Sequence, residues 1–136
     1  MADFYEQIFA VTSQPQTILD IACGLNPLAF PWMGLELPVD FYAYDIHEPR
    51  IDFINHYLQL QGLKPLAKLQ DVALQFPLEK GDVALFLKEM PRFERNYHGR
   101  GRPLLEALNV HWLVLSFPTI STHGGRNLTN RYREFM

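Results

Sequence analysis

The chain has 136 residues, of which 48% are hydrophobic and 20% charged, with a formal net charge of −3 and one cysteine. That length suits one domain with a sizeable core, a lone cysteine excludes an internal disulfide, and no apolar run reaches the ~18 residues a membrane-crossing helix needs. Without the basic start and apolar segment of a secretory signal, the expectation is a single domain over 1–136 in a reducing cytoplasm.

Taken in order, the elements alternate helix and strand. An amphipathic lead-in over 1–16, helical from Phe4 to Thr12, precedes a strand at Thr17–Ala22. Gly24 then permits a tight turn, and Asn26-Pro27 has the form of an N-cap followed by a first-position proline, predicting a helix from Pro27 to about Gly34. Strand Phe41–Asp45 follows. The spacing of Ile51, Ile54, Tyr57 and Leu58 predicts a helix over Pro49–Gln61 that stops at Gly62. Short strand Lys68–Gln70, buried strand Asp82–Leu87, a polar basic stretch, helix Pro103–Leu108 and strand Trp112–Phe117 complete the pattern. Five strands with helical crossovers imply an α/β, Rossmann-like and mainly parallel sheet covered on both faces, with Phe30, Trp32, Phe41, Tyr57, Phe86 and Trp112 mostly in the core. Trp32 is placed equally to line a site or to pack beneath it.

A strand, a glycine turn and a helix start in succession build a nucleotide-type cofactor site, with the ligand against backbone amides at the strand's carboxyl end. The acids lie where such a site needs them. Asp45 closes the second strand about 20 residues past the glycine turn, where an acid accepts ribose hydroxyls, and Asp71 follows the third strand within reach of an adenine. Asp20 is expected to orient the turn amides. A nicotinamide fingerprint requires glycines where Asn26 and Ala29 stand, which weakens that reading and leaves the S-adenosylmethionine-dependent methyltransferases. Cys23 lacks an activating histidine and reads as a packing residue, and His47, His56, His98, His111 and His123 lack a metal-binding spacing.

Charge is distributed unevenly. Residues 1–87 hold four Lys/Arg against eleven Asp/Glu, whereas residues 88–136 hold eight against four. Seven of those eight are arginines, whose planar fork suits phosphate oxygens.

Four ordered blocks carry a specific resemblance. Leu19-Asp20-Ile21-Ala22-Cys23-Gly24-Leu25-Asn26-Pro27-Leu28-Ala29 with Pro31-Trp32-Met33 is similar to the first motif of the aminoglycoside-resistance ribosomal RNA methyltransferases, which methylate a guanine N7 in the decoding region of the small subunit. Tyr44-Asp45-Ile46 resembles their ribose-binding motif, and the run from Asp82 to Pro91 resembles their fourth-strand motif. Leu104 to Asn109, Ser116-Phe117-Pro118-Thr119 and Gly124-Gly125-Arg126-Asn127 resemble their final-strand signature.

The resemblance implies a class I fold, S-adenosylmethionine as cofactor and ribosomal RNA or the small subunit as partner. It implies cofactor contacts from Ala22, Cys23, Gly24, Asn26, Asp45, Ile46, Asp71, Val72, Leu87 and Lys88. RNA contacts are expected from Arg92, Arg95, Arg100, Arg102, Arg126 and Arg131, with the target base near Phe117-Pro118. Guanine N7 has no proton to lose, so no acid/base residue is assigned and no metal is expected.

The chain departs from that family at Ile120 and Leu128, where lysines are usual, and at Arg95-Asn96, where a glutamine pair is common. The family's N-terminal docking extension and the antiparallel hairpin after the fifth strand are expected to be absent, which leaves open a homo-oligomer or a partner chain. A cofactor-binding domain without efficient turnover is the alternative reading, and a small-molecule methyltransferase is the second.

Overall fold

The structure is a computed structural model that describes residues 2–87 and 89–117. Five strands, β1 (Thr17–Asp20), β2 (Asp40–Asp45), β3 (Ala67–Leu69), β4 (Lys80–Leu87) and β5 (Asn109–Ser116), pair in the order β3-β2-β1-β4-β5. All pairings are parallel, with Ile18 level with both Phe41 and Val83. The chain builds outward from β1 through β2 to β3, then returns to lay β4 on the other side of β1. That reversal opens a crevice at the carboxyl ends of the central strands, where ligands of such folds bind.

The period-2 alternation of β1, β2 and β4 feeds two cores. On one face Ile18, Phe41, Ala43, Val83 and Leu85 pack against α1 (Ala2–Thr12) and α2 (Glu48–Leu60) through Tyr5, Phe9, Ile51, Ile54 and Leu58. On the other, Leu19, Tyr44, Ala84 and Phe86 meet α3 (Met90–Asn96) and α4 (Gly101–Ala107) through Met90, Phe93 and Leu104. Each wholly buried large side chain contributes about 1.5–3 kcal/mol. The Rossmann-like parallel sheet with helices on both faces is thus as expected from the sequence.

Three expectations need correction. The segment after Gly24 is a seven-residue 3-10 helix, Asn26–Trp32, with Pro31 inside it, where a missing N–H and ring crowding disfavour a regular α-helix. Asn26 does not cap it: Leu25 holds that position without a side-chain bond. Next, the basic stretch after β4 contains α3, which opens on Pro91 in its first turn and buries Met90 and Phe93. Finally, Trp112 is 46% exposed, because among the described residues β5 pairs only with β4 and its outer face is poorly covered. Trp32 is 55% exposed, whereas Phe30, Phe41 and Phe86 are core. The remaining element boundaries agree with the expected ones to within three residues.

Candidate functional site

The turn after β1 is bent by two positive φ angles, +50° at Ala22 and +54° at Gly24. Alanine rarely adopts that conformation, and the surroundings hold it there: Ile21 N–H donates to the Leu85 carbonyl and Cys23 N–H to that of Tyr44. A Cβ placed on Gly24 would meet nothing within 4 Å, so the glycine faces open space and its backbone can be approached closely.

Asp45, only 7% exposed, closes β2 beside this turn. Its Oδ2 accepts from Gly24 N–H at 2.9 Å and its Oδ1 from His47 N–H at 3.0 Å, so the main chain aims the carboxylate. Arg50, in the first turn of α2, completes the cluster, with Nη1 3.1 and 3.2 Å from the two oxygens. Asp71 lies beyond β3. Its Oδ1 accepts from Ala73 N–H and its Oδ2 from the Tyr97 hydroxyl, both at 3.0 Å, and that bond raises the Tyr97 phenol above its ordinary value.

Both acids line one cavity of about 340 Å³, a size that suits a small ligand. Of the residues named from the sequence, Ala22, Gly24, Asp45, Ile46, Asp71, Val72 and Arg92 stand on its wall. Arg50, Gln70, Glu89, Asn96 and Tyr97 line it too, and sequence reasoning missed them. Arg50 left a faint signal, an arginine five residues past Asp45 in a proline-opened helix. The α3 residues left none, since α3 itself was unseen.

Several expected contacts lie elsewhere. Cys23 is buried, gives its Sγ–H to the Gly24 carbonyl, and has its thiol pushed far up by burial, then by the nearby Asp20 and Asp45 charges. It is an inert packing group behind the turn. Asn26 turns inward: its amide donates to Asp20 Oδ2 at 2.8 Å and its carbonyl accepts the Tyr5 hydroxyl, tying α1 to the turn. Asp20 therefore holds a side chain rather than the turn amides, and Gly24 N–H belongs to Asp45. Asp20 is wholly buried, and this desolvation pushes its carboxyl up to about 8 against the lowering effect of Asn26, with the Asp45 charge adding to the rise. Leu87 packs against the α1/α2 core and is not on the cavity wall.

The arginines among the described residues do not converge as a group. Arg92 lines the cavity with its Nη1 3.9 Å from Glu89, while Arg95 and Arg102 are exposed on α3 and α4. Arg100 is structural. Its guanidinium donates to the Ala73 carbonyl and lies 5.0 Å over the Phe76 ring, fastening the loop after β3 to the start of α4. Phe117 is half-buried and packs against the α3/α4 core. Lys88, Pro118, Arg126 and Arg131 lie outside the described residues. Among the described residues no His/Cys/Asp/Glu cluster could hold a metal ion, and no helix is long and apolar enough to cross a membrane.

An all-parallel sheet with its crevice between a glycine turn and two strand-end acids is that of a class I S-adenosylmethionine-dependent methyltransferase. Comparison with known proteins narrows this. A family model described as ribosomal RNA methyltransferase (FmrO) matches residues 1–134, and the chain belongs to that family. It is 38% identical over 121 residues to a 16S rRNA (guanine(1405)-N(7))-methyltransferase of Micromonospora echinospora, covering 89% of this chain and 44% of that protein. To the enzyme of the same name from Serratia marcescens it is 37% identical over 129 residues, 94% of this chain and 50% of that one. Among solved structures, the 16S rRNA methylase RmtB superposes with a TM-score of 0.78 at 34% identity, covering 97% of this chain and 51% of RmtB. RmtF in complex with S-adenosyl-L-homocysteine superposes at 0.82 with 29% identity, over 98% and 51%. The chain thus spans about half the length of the relatives it matches.

Proposed function

We propose that this chain binds S-adenosylmethionine in the cavity described above and directs methyl transfer to N7 of a guanine in 16S ribosomal RNA, with the small ribosomal subunit as partner. The observation that carries this reading is Asp45, a nearly buried carboxylate held by two main-chain amides on the wall of a cavity that also presents Asp71. Such a carboxylate accepts ribose hydroxyls, and the Asp71-Val72 corner suits an adenine. The open approach to Gly24 leaves room for the amino-acid end of the cofactor.

Bound there, S-adenosylmethionine supplies a methyl group activated on a sulfonium centre. The chain's own residues then have little chemistry left to perform. Guanine N7 carries an in-plane lone pair and no proton, so positioning suffices and no residue acts as general base. Tyr97 keeps Asp71 aimed, and Asp45 sets the depth of the ribose. Arg92, at the cavity wall, and the exposed Arg95 and Arg102 supply positive charge for RNA phosphates.

Incubation with tritiated S-adenosylmethionine and intact small ribosomal subunits, followed by mapping of the labelled base, tests the proposal. Label on a guanine N7 is the expected result. Calorimetric binding of the cofactor with no label on the RNA would contradict it and favour a cofactor-binding domain without turnover.

A further inference from the structure

Arg50 occupies the hydrogen-bonding sites on Asp45 that a ribose would need. A carboxylate offers about four acceptor sites, two on each oxygen. On Asp45 the main chain takes one site per oxygen, through Gly24 N–H and His47 N–H. Arg50 Nη1, at 3.1 and 3.2 Å, takes the other on both oxygens at once. A vicinal diol that bonds each hydroxyl to one carboxylate oxygen asks for those same two sites.

The position of Arg50 also makes it releasable. It sits in the first turn of the 13-residue α2, where the partial positive charge of a helix N-terminus disfavours a cation. Its side chain is 37% exposed against 8% for Asp45, so water can receive the guanidinium while the carboxylate stays in place. The two amides on Asp45 come from the main chain and do not depend on the arginine. Nor does the cationic sulfonium of S-adenosylmethionine gain anything from a neighbouring guanidinium.

We propose that Arg50 is an affinity- and specificity-setting residue of this site, a built-in competitor that caps Asp45 and that a diol-bearing ligand must displace. The inference rests on the reading of Asp45 as the ribose acceptor. Arg50 raises the dissociation constant of diol ligands, speeds their release, and leaves ligands without the diol unaffected.

Calorimetric titration of the full chain with S-adenosylhomocysteine and with its 2′,3′-dideoxy analogue tests this, using wild type, Arg50→Met, Arg50→Lys and Asp45→Asn, each verified as folded by circular dichroism. Arg50→Met should bind S-adenosylhomocysteine about three- to tenfold more tightly, the worth of one partly exposed ion pair, with no change for the dideoxy analogue. Arg50→Lys, which keeps a charge but loses the shared geometry, should fall between. Asp45→Asn should weaken S-adenosylhomocysteine about tenfold or more. If Asp45→Asn weakens binding while Arg50→Met leaves it equal or weaker, Arg50 supports the site and the proposal is overturned, though the ribose reading survives. Equal tightening of both ligands by Arg50→Met also overturns it. An Asp45→Asn variant with unchanged affinity removes the ribose reading itself, and the proposal with it.

Discussion

On the β1–β2 wall of the cavity Asp45 has a main-chain amide on each oxygen, whereas toward α3 Asp71 has a main-chain amide on one oxygen and the Tyr97 hydroxyl on the other. Gly24 and His47 amides fix Asp45, and the Cys23 amide joins the turn to β2. Opposite, Asp71 takes its orientation partly from the Tyr97 hydroxyl, and the loop after β3 is fastened to α4 by the Arg100 side chain. Groups fixed by backbone stay in place unless the strands move. Groups fixed by side chains can be re-aimed by a single substitution. The β1–β2 wall is accordingly the rigid part of the site, and the α3 wall is where ligand preference is open to adjustment.

The largest expected effect comes from undermining the rigid wall. Phe41, wholly buried in β2, should cost about 3–5 kcal/mol of unfolding free energy when changed to Ala, measured by denaturant titration. A loss under about 1 kcal/mol would show that the strands do not depend on that core.

Asp20→Asn sharpens the same wall through pH. Because burial raises the Asp20 carboxyl to about 8 in the folded chain against about 4 unfolded, the folded state binds more protons between those values. The Asp20 contribution to stability therefore falls as pH rises from about 4 to about 8 and is flat above. The variant lacks this term, so its melting temperature relative to wild type should climb across that window. A constant difference would mean that Asp20 is ionised at neutral pH.

Tyr97→Phe tests the adjustable wall. Losing one hydroxyl bond to Asp71 should weaken S-adenosylhomocysteine about fivefold, corresponding to about 1 kcal/mol, with little change in melting temperature. The smallest effect is expected from Trp112→Ala at the half-exposed β5 face, within about 1 kcal/mol of unfolding free energy by the same titration.

Much of the crevice was legible in the sequence because it follows local rules: a glycine turn after the first strand put Gly24 there, and strand ends put Asp45 and Asp71 beside it. What failed depended on tertiary partners. Asn26-Pro27 has the form of a helix cap, yet the buried Asp20 recruits the Asn26 amide. The seven-residue α3 offers only Met90 and Phe93 as buried apolar marks, too short a stretch to display a period. Trp112 is apolar, but hydrophobicity does not say which face of a strand its neighbours will cover.

The central claim is that the cavity between Gly24, Asp45 and Asp71 holds the cofactor with its adenine toward Asp71 and α3. Photolabelling with 8-azido-S-adenosylmethionine, followed by peptide mapping, tests it directly. Label should fall within residues 70–76 or 92–97 and disappear when S-adenosylhomocysteine is added. Label elsewhere, or label that S-adenosylhomocysteine does not displace, would contradict it.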